Sequence, residues 1–162
     1  MKTRFVGAAL CSGLLLLVVL IPAPALAGGT TVSCSPTSTK AVIASPAGIG
    51  TLSMTFKNIP EASVGFTSGG NTSCVIVRFT AETAAGTNRV IIVRAFLDNV
   101  TAALPDEVRY SGSDGASFRA HGYEFIFPSV DPGKHVVHMQ FRSEDGGPVL
   151  MQNHTTVVQY AP

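Results

Sequence analysis

Glu124, His138 and His154 are the residues whose types could bind a divalent metal. They fall in three consecutive predicted strands, where the alternation of side chains would point all three to one sheet face. Neutral imidazoles and a carboxylate are ligands that zinc and copper accept. The spacing matches no established ligand motif, so the alternative is a solvated outer face on which polar residues pair across strands. We interpret His135 as a residue at the edge of the core.

Common catalytic motifs are absent from the sequence. It contains no G-x-S-x-G, H-E-x-x-H, P-loop or dinucleotide-binding pattern. The run Gly112-Ser113-Asp114-Gly115 has the composition of an ordinary turn. The acidic residues lie mostly in predicted turns rather than as a pair that could converge in a cleft. We therefore predict that the protein is not an enzyme and has no cofactor, and the lack of Trp argues against a sugar site built on stacked rings.

Residues 1–27 have the pattern of a cleavable secretory signal. Lys2 and Arg4 precede an apolar run, and Ala25-Leu26-Ala27 offers a small-x-small cleavage site. Cleavage would change the formal net charge from +1 to −1. A nearly neutral chain lacks the basic patch that nucleic acid or anionic membranes require. We expect a secreted or periplasmic protein with no nucleic-acid partner and no membrane association after cleavage.

Cys34 and Cys74 remain after cleavage. In an oxidising compartment, an isolated pair of cysteines is expected to form a disulfide. Neither lies in a C-x-x-C motif or beside a histidine, so a structural bond is favoured over a metal or catalytic role. Closing a loop of this length would stabilise the fold by roughly 4 kcal/mol in the chain-entropy model.

Three Asn-x-Ser/Thr triplets begin at Asn71, Asn99 and Asn153. Each would accept an N-linked glycan if the host is a eukaryote. In a Ser- and Thr-rich β protein such triplets also arise from composition alone.

Residues 28–45 are rich in Gly, Ser, Thr and Pro, and residues 46–162 alternate in the manner of short strands. The predicted fold class is all-β: a single antiparallel two-sheet sandwich or jelly roll with one disulfide. Turn signals suggest hairpins between consecutive strands. The predicted strands are 40–44, 51–56, 63–67, 74–83, 89–98, 107–110, 118–127, 134–142 and 149–160.

A register can be proposed for the last three strands. Placing Phe125 opposite Val137, and Phe141 opposite Met151, puts the large apolar side chains on one buried face. That face would comprise Tyr123, Phe125, Phe127, Val137, Met139, Phe141 and Met151. The outward face would comprise Glu124, His138, Gln140, Arg142, Gln152 and His154.

These strands and the turn before the last one carry the sequences HGYEFIFP (121–128), DPGKHVVHMQFRS (131–143) and GGPVLMQNHTTVV (146–158). They resemble the C-terminal strands of uncharacterised exported bacterial β-sandwich proteins of jelly-roll type. The resemblance implies a sandwich fold and a bacterial host, and it assigns no functional residue.

Three functions are open at this level. The first is a non-enzymatic secreted or periplasmic module with a binding or structural role, its ligand unknown. The second is a subunit of a surface assembly or adhesin, which would pair through an edge strand or the segment 28–39. The third is a metal-binding protein or metal-dependent enzyme that uses the Glu124, His138 and His154 row.

Overall fold

The computed structural model describes residues 31–112 and 115–162, and within them the regular structure is entirely β. This confirms the predicted fold class. The predicted signal, residues 1–27, lies outside the described residues. The strands are β1 Ser38–Ala44, β2 Ile49–Thr51, β3 Lys57–Ser68, β4 Ser73–Ala85, β5 Val90–Leu97, β6 Thr101–Ala102, β7 Val108–Gly112, β8 Gly115–Val130, β9 Gly133–Ser143 and β10 Val149–Tyr160.

Two antiparallel sheets pack face to face. Sheet A has the order β1-β10-β4-β8, with β2 also pairing with β10, and sheet B has the order β3-β9-β5-β6, with β7 also pairing with β5. The long strands β3, β4, β5, β8, β9 and β10 lie alternately in sheet B and sheet A. Two antiparallel sheets connected in this way have the arrangement of a jelly roll.

The predicted hairpins are wrong, although most of the turns lie where they were expected. The pairs β4/β5, β8/β9 and β9/β10 each join strands in opposite sheets. Phe125 is therefore opposite Val77 of β4, and Val137 is opposite Val64 of β3. Alternation specifies which face of a strand is buried but not which strand lies beside it. Two inward-facing rows look the same in sequence whether they are neighbours or face each other across the core.

The core forms between the sheets from their inward-facing rows. Phe79, Phe125 and Phe127 are at most 1% exposed. The predicted buried face is confirmed for Phe125, Phe127, Val137, Met139, Phe141 and Met151. It is wrong for Tyr123, which is 43% exposed because β8 is the last strand of its sheet and leaves that side chain at the open side of the sandwich.

A β-bulge in β10 reverses its alternation. The register with β4 shifts between Gln152 and Thr155, and Asn153 has a φ of 44°. The side-chain amides of Gln152 and Asn153 both donate to Glu82 Oε2, at 2.9 and 2.8 Å. An extra residue turns the following side chains to the other face. His154, predicted to face outward, is consequently 0% exposed in the core.

The predicted disulfide between Cys34 and Cys74 is confirmed. It ties the stretch before β1 to the central strand β4 of the same sheet. β1 pairs with β10 along its whole length, so the sheet begins at Ser38, within the segment 28–45 that was predicted to precede the domain. In the described part of the chain no helix is long and apolar enough to cross a membrane.

Candidate functional site

The predicted metal row does not form. Glu124 lies on the outer face of sheet A, where Arg78 Nη2 donates to its Oε2 at 2.9 Å. His138 lies on sheet B, with its Nδ1 2.8 Å from Ser63 Oγ. His154 is in the core. Within residues 31–112 and 115–162 no group of three His, Cys, Asp or Glu side chains is placed to hold a metal ion. The prediction failed because it assumed that β8, β9 and β10 are neighbours in one sheet.

His154 is buried without a hydrogen bond to either ring nitrogen. Its ring lies 6.0 Å from that of Phe79 and beneath the β3 bulge, where Glu61 has a φ of 58°. Burial lowers the pKa of His154, and the nearby Pro60 carbonyl and Glu61 oppose that shift. The imidazole is therefore held in its neutral form.

A cleft of about 260 Å³ opens where the β5–β6 turn meets the β8–β9 turn. His135 Nδ1 lies 2.7 Å from Asp98 Oδ2, and His135 Nε2 lies 2.8 Å from the Asp131 carbonyl oxygen. Asp98 Oδ1 also accepts from the Val136 amide at 2.8 Å. The cleft is lined by Leu97, Asp98, Val100, Thr101, Ser129, Val130, Asp131 and His135.

Both ring nitrogens of His135 face oxygen acceptors, which favours the imidazolium. Burial lowers the pKa of His135, but the hydrogen bond to Asp98 and the Asp131 carbonyl outweigh it, so the pKa is raised overall. Burial likewise raises the pKa of Asp98, and the hydrogen bonds from His135 and Val136 reverse this to a net lowering. With both nitrogens engaged, His135 has no free position from which to accept a proton from a substrate.

The outer face of sheet B carries a connected set of side chains, most of them half-buried, centred on Arg94. The Cζ of Arg94 lies 3.9 Å from the ring centroid of Phe56 and 4.4 Å from that of Phe96. Its Nε donates to Gln140 Oε1 at 2.8 Å. Gln140 Nε2 in turn donates to Asn58 Oδ1 at 2.8 Å. Arginine, amide and aromatic side chains thus hold one another in place.

Arg142 extends this set on β9. Its Cζ lies 5.1 Å from the Phe56 ring centroid, and its Nη2 donates to Glu107 Oε1 at 2.9 Å. We call the connected side chains the Arg94 platform: Phe56, Asn58, Arg94, Phe96, Gln140 and Arg142. Phe96 lies directly opposite His138 in the β5–β9 register, so the platform continues toward the His138–Ser63 pair.

The two sheets differ in charge. The strands of sheet A carry three basic and two acidic residues, which is nearly balanced. The strands of sheet B carry a single acidic residue, Glu61, against five basic ones: Lys57, Arg94, Arg109, Lys134 and Arg142. Loop acids offset part of this excess, because Glu144 pairs with Arg109 and Glu107 pairs with Arg142.

The platform was not identified from the sequence. One signal was available: Arg94 interrupts a strand that is otherwise apolar, which marks an outward position of unusual chemistry. Phe56 and Asn58 come from a distant part of the chain, and the alternation pattern does not predict that they lie beside Arg94.

The three predicted glycosylation acceptors lie at exposed positions. Asn71 follows the turn glycine Gly70, Asn99 lies in the β5–β6 turn with a φ of 58°, and Asn153 forms the β10 bulge. Their modification stays a prediction that depends on the host.

Comparison with known proteins identifies no family. No family model and no curated protein matches the sequence. The chain is similar to latent PorU from Porphyromonas gingivalis, with a TM-score of 0.40 and 10% identity over 82% of this chain and 14% of that one. It is also similar to a family two carbohydrate esterase from Cellvibrio japonicus, with a TM-score of 0.30 and 25% identity over 77% of this chain and 36% of that one. These values carry no functional argument.

Proposed function

We propose that the protein is a non-enzymatic binding module, secreted or periplasmic, which holds a polar ligand on the Arg94 platform. The observation that carries the proposal is the network itself: Arg94 lies over two phenylalanine rings and is tied to Gln140 and Asn58. Long side chains on a solvated sheet face usually keep their rotamer freedom. Ordering them before a ligand arrives removes part of the entropic cost of binding.

A binding role is favoured over catalysis by the state of the titratable groups. Asp98 and His135 both have shifted pKa values. The Asp98 carboxylate and both nitrogens of the His135 ring form hydrogen bonds within the protein. A general base would need a free position within reach of substrate.

The Cys34–Cys74 disulfide supports the proposed localisation. Structural disulfides persist in oxidising compartments and are rare in the cytosol. Extracytoplasmic ligands would therefore be the relevant ones.

The proposal is tested by titrating the ¹⁵N-labelled mature chain with neutral oligosaccharides, acidic oligosaccharides and acidic peptides, each soluble and defined. We expect amide shifts that cluster on β5 and β9 for at least one of these classes. Phe96→Ala should weaken that binding, whereas Arg78→Ala, which removes an exposed arginine from sheet A, should leave it unchanged. Shifts confined to the Asp98–His135 cleft, or none with any class, would overturn the proposal.

A second candidate, a subunit of a surface assembly, is favoured by the free side of β8. Among the described residues, β8 pairs with β4 on one side and only with Leu104, through Ile126, on the other. Phe118 and Tyr123 are 38% and 43% exposed near that edge. An edge of this kind can add a strand from a neighbouring chain. Light scattering over a hundredfold concentration range tests it, and a monomer throughout would contradict it.

A further inference from the structure

We propose that the ligand of the Arg94 platform is an acidic saccharide chain whose carboxylate binds the guanidinium of Arg94. This inference rests on the proposed function and adds the chemistry of the ligand. It follows from the contacts of Arg94, from its lack of an ion pair among the described residues and from the nearby groups that can hydrogen-bond to hydroxyls.

The guanidinium of Arg94 is positioned but not neutralised. Of its five N–H donors, the one on Nε is used by Gln140. Among the described residues no acidic side chain forms an ion pair with Arg94, whereas Arg109 is paired with Glu144 and Arg142 with Glu107. The Nη1 and Nη2 edge is the part of the fork that a carboxylate can bind with two parallel hydrogen bonds.

The partly buried guanidinium of Arg94 favours an added negative charge. Burial lowers the pKa of Arg94, and Arg142 lowers it further, while Glu107 and Asp106 act in the opposite direction. The cation is thus partly desolvated without full compensation by the protein. An anion bound to the guanidinium would relieve that imbalance.

The other platform groups suit a saccharide. The amides of Asn58 and Gln140, and the Ser63 hydroxyl next to the platform, can both donate and accept hydrogen bonds, which matches sugar hydroxyls. Phe56 and Phe96, whose rings lie against Arg94, add apolar surface beside the guanidinium. From His138 to Arg142 the strand advances about 13 Å, room for an extended chain rather than a single small anion.

A peptide is the less suitable occupant. The centre of the platform, Arg94 and Gln140, lies on β5 and β9, which both have strands on either side, whereas Asn58 lies on the edge strand β3. Extended peptides commonly bind by adding a strand to a free sheet edge, and such a strand beside β3 would not lie over the Arg94 guanidinium. The absence of Trp argued against sugar binding in the sequence. In the structure two phenylalanines beside Arg94 supply aromatic surface in its place.

The test compares trigalacturonate with its methyl ester, which keeps the sugar chain and removes the charge. We expect trigalacturonate to shift the β5 and β9 amides and to bind roughly tenfold or more tightly than the ester. Raising the salt concentration should weaken the binding of trigalacturonate but not that of the ester. The Arg94→Lys variant should lose most of the preference for trigalacturonate over the ester, because lysine keeps the positive charge but lacks the planar guanidinium that binds a carboxylate with two hydrogen bonds.

Control measurements separate the possible failures. Arg78→Gln should change neither the affinity for trigalacturonate nor that for the ester. Equal melting temperatures of Arg94→Lys and wild type would show that the Arg94→Lys variant is folded. Equal binding of acid and ester on sheet B would overturn the carboxylate inference and leave the proposed function standing. Binding of an acidic peptide but neither saccharide would overturn the saccharide assignment. No shift on sheet B with any of these probes would overturn both.

Discussion

At the scale of single residues, the two histidines with shifted pKa values respond to pH in opposite directions. The pKa of His154 is lowered by burial, and that of His135 is raised by Asp98 and the Asp131 carbonyl against the effect of burial. A single pH-stability curve of the wild type would mix both contributions, so each must be isolated with a variant.

We predict that His154 makes the fold less stable in acid. Its folded pKa lies below the unfolded value near 6.5, so the unfolded chain binds the proton more readily, and stability is lost progressively as the pH falls below about 6.5. Urea unfolding at pH 7.5, 6.5 and 5.5 should show a smaller loss for His154→Leu than for wild type. His138→Gln, at a solvent-facing histidine, serves as the control. Equal losses in wild type and His154→Leu would contradict the prediction.

The Asp98–His135 pair should stabilise the fold most in weak acid. Because the folded pKa of His135 is raised, its contribution is complete below the unfolded value near 6.5 and disappears as the pH rises through the folded pKa. The lowered pKa of Asp98 keeps the carboxylate ionised in that range. Asp98→Asn tests this, since Asn tolerates the φ of 52° found there. The stability gap between wild type and variant should be larger at pH 6 than at pH 8.5, and a gap that does not change with pH would refute the pairing.

At the scale of elements, the bulge in β10 decides which side chains enter the core. Asn153 is the extra residue, and its left-handed conformation is disfavoured for residues with a Cβ atom. Asn153→Ala and Asn153→Gly both lose the hydrogen bond to Glu82, but only the alanine retains the strain. We expect Asn153→Ala to be about 1–2 kcal/mol less stable than Asn153→Gly in chemical unfolding. Equal stabilities would mean that the bulge rearranges in the variants.

The inward rows of the two sheets supply the packing energy. Phe125 of sheet A and Phe141 of sheet B are 0% and 4% exposed. Truncation of either to alanine should destabilise the fold by about 3–5 kcal/mol, through lost burial and a residual cavity. Phe118→Ala, at a position that is 38% exposed, is the matched control and should change stability by less than about 1 kcal/mol. A small effect at Phe125 would mean that the face assignment is inverted.

At the scale of the whole molecule, the disulfide links the N-terminal stretch to the centre of sheet A. It joins residues 40 positions apart, so the reduced chain regains considerable freedom when unfolded. Cys34→Ser should lower the free energy of unfolding by roughly 2–4 kcal/mol. Mass spectrometry of the exported chain without reductant should show it two hydrogens lighter than its reduced form. Two free thiols in properly exported protein would contradict the assignment.

Four features could be predicted from the sequence: the fold class, the strand-rich segments, most of the turn positions and most of the buried faces. Alternation along each strand carries that information because side chains point to opposite faces with a period of two. The cysteine pair could also be predicted, since two cysteines left in an oxidising compartment have few other roles.

Only the tertiary structure decided which strands are neighbours and where the alternation breaks. Consecutive long strands lie in opposite sheets. Their inward-facing rows have the same alternating pattern whether the strands are neighbours in one sheet or face each other across the core. The sequence therefore could not show that the hairpin register, and with it the row of Glu124, His138 and His154, was wrong. The bulge at Asn153 depends on Glu82, 71 positions away. The Arg94 platform likewise joins Arg94 to Gln140 across 46 positions and Gln140 to Asn58 across 82. Contacts at such separations come from strand order, which local patterns do not encode.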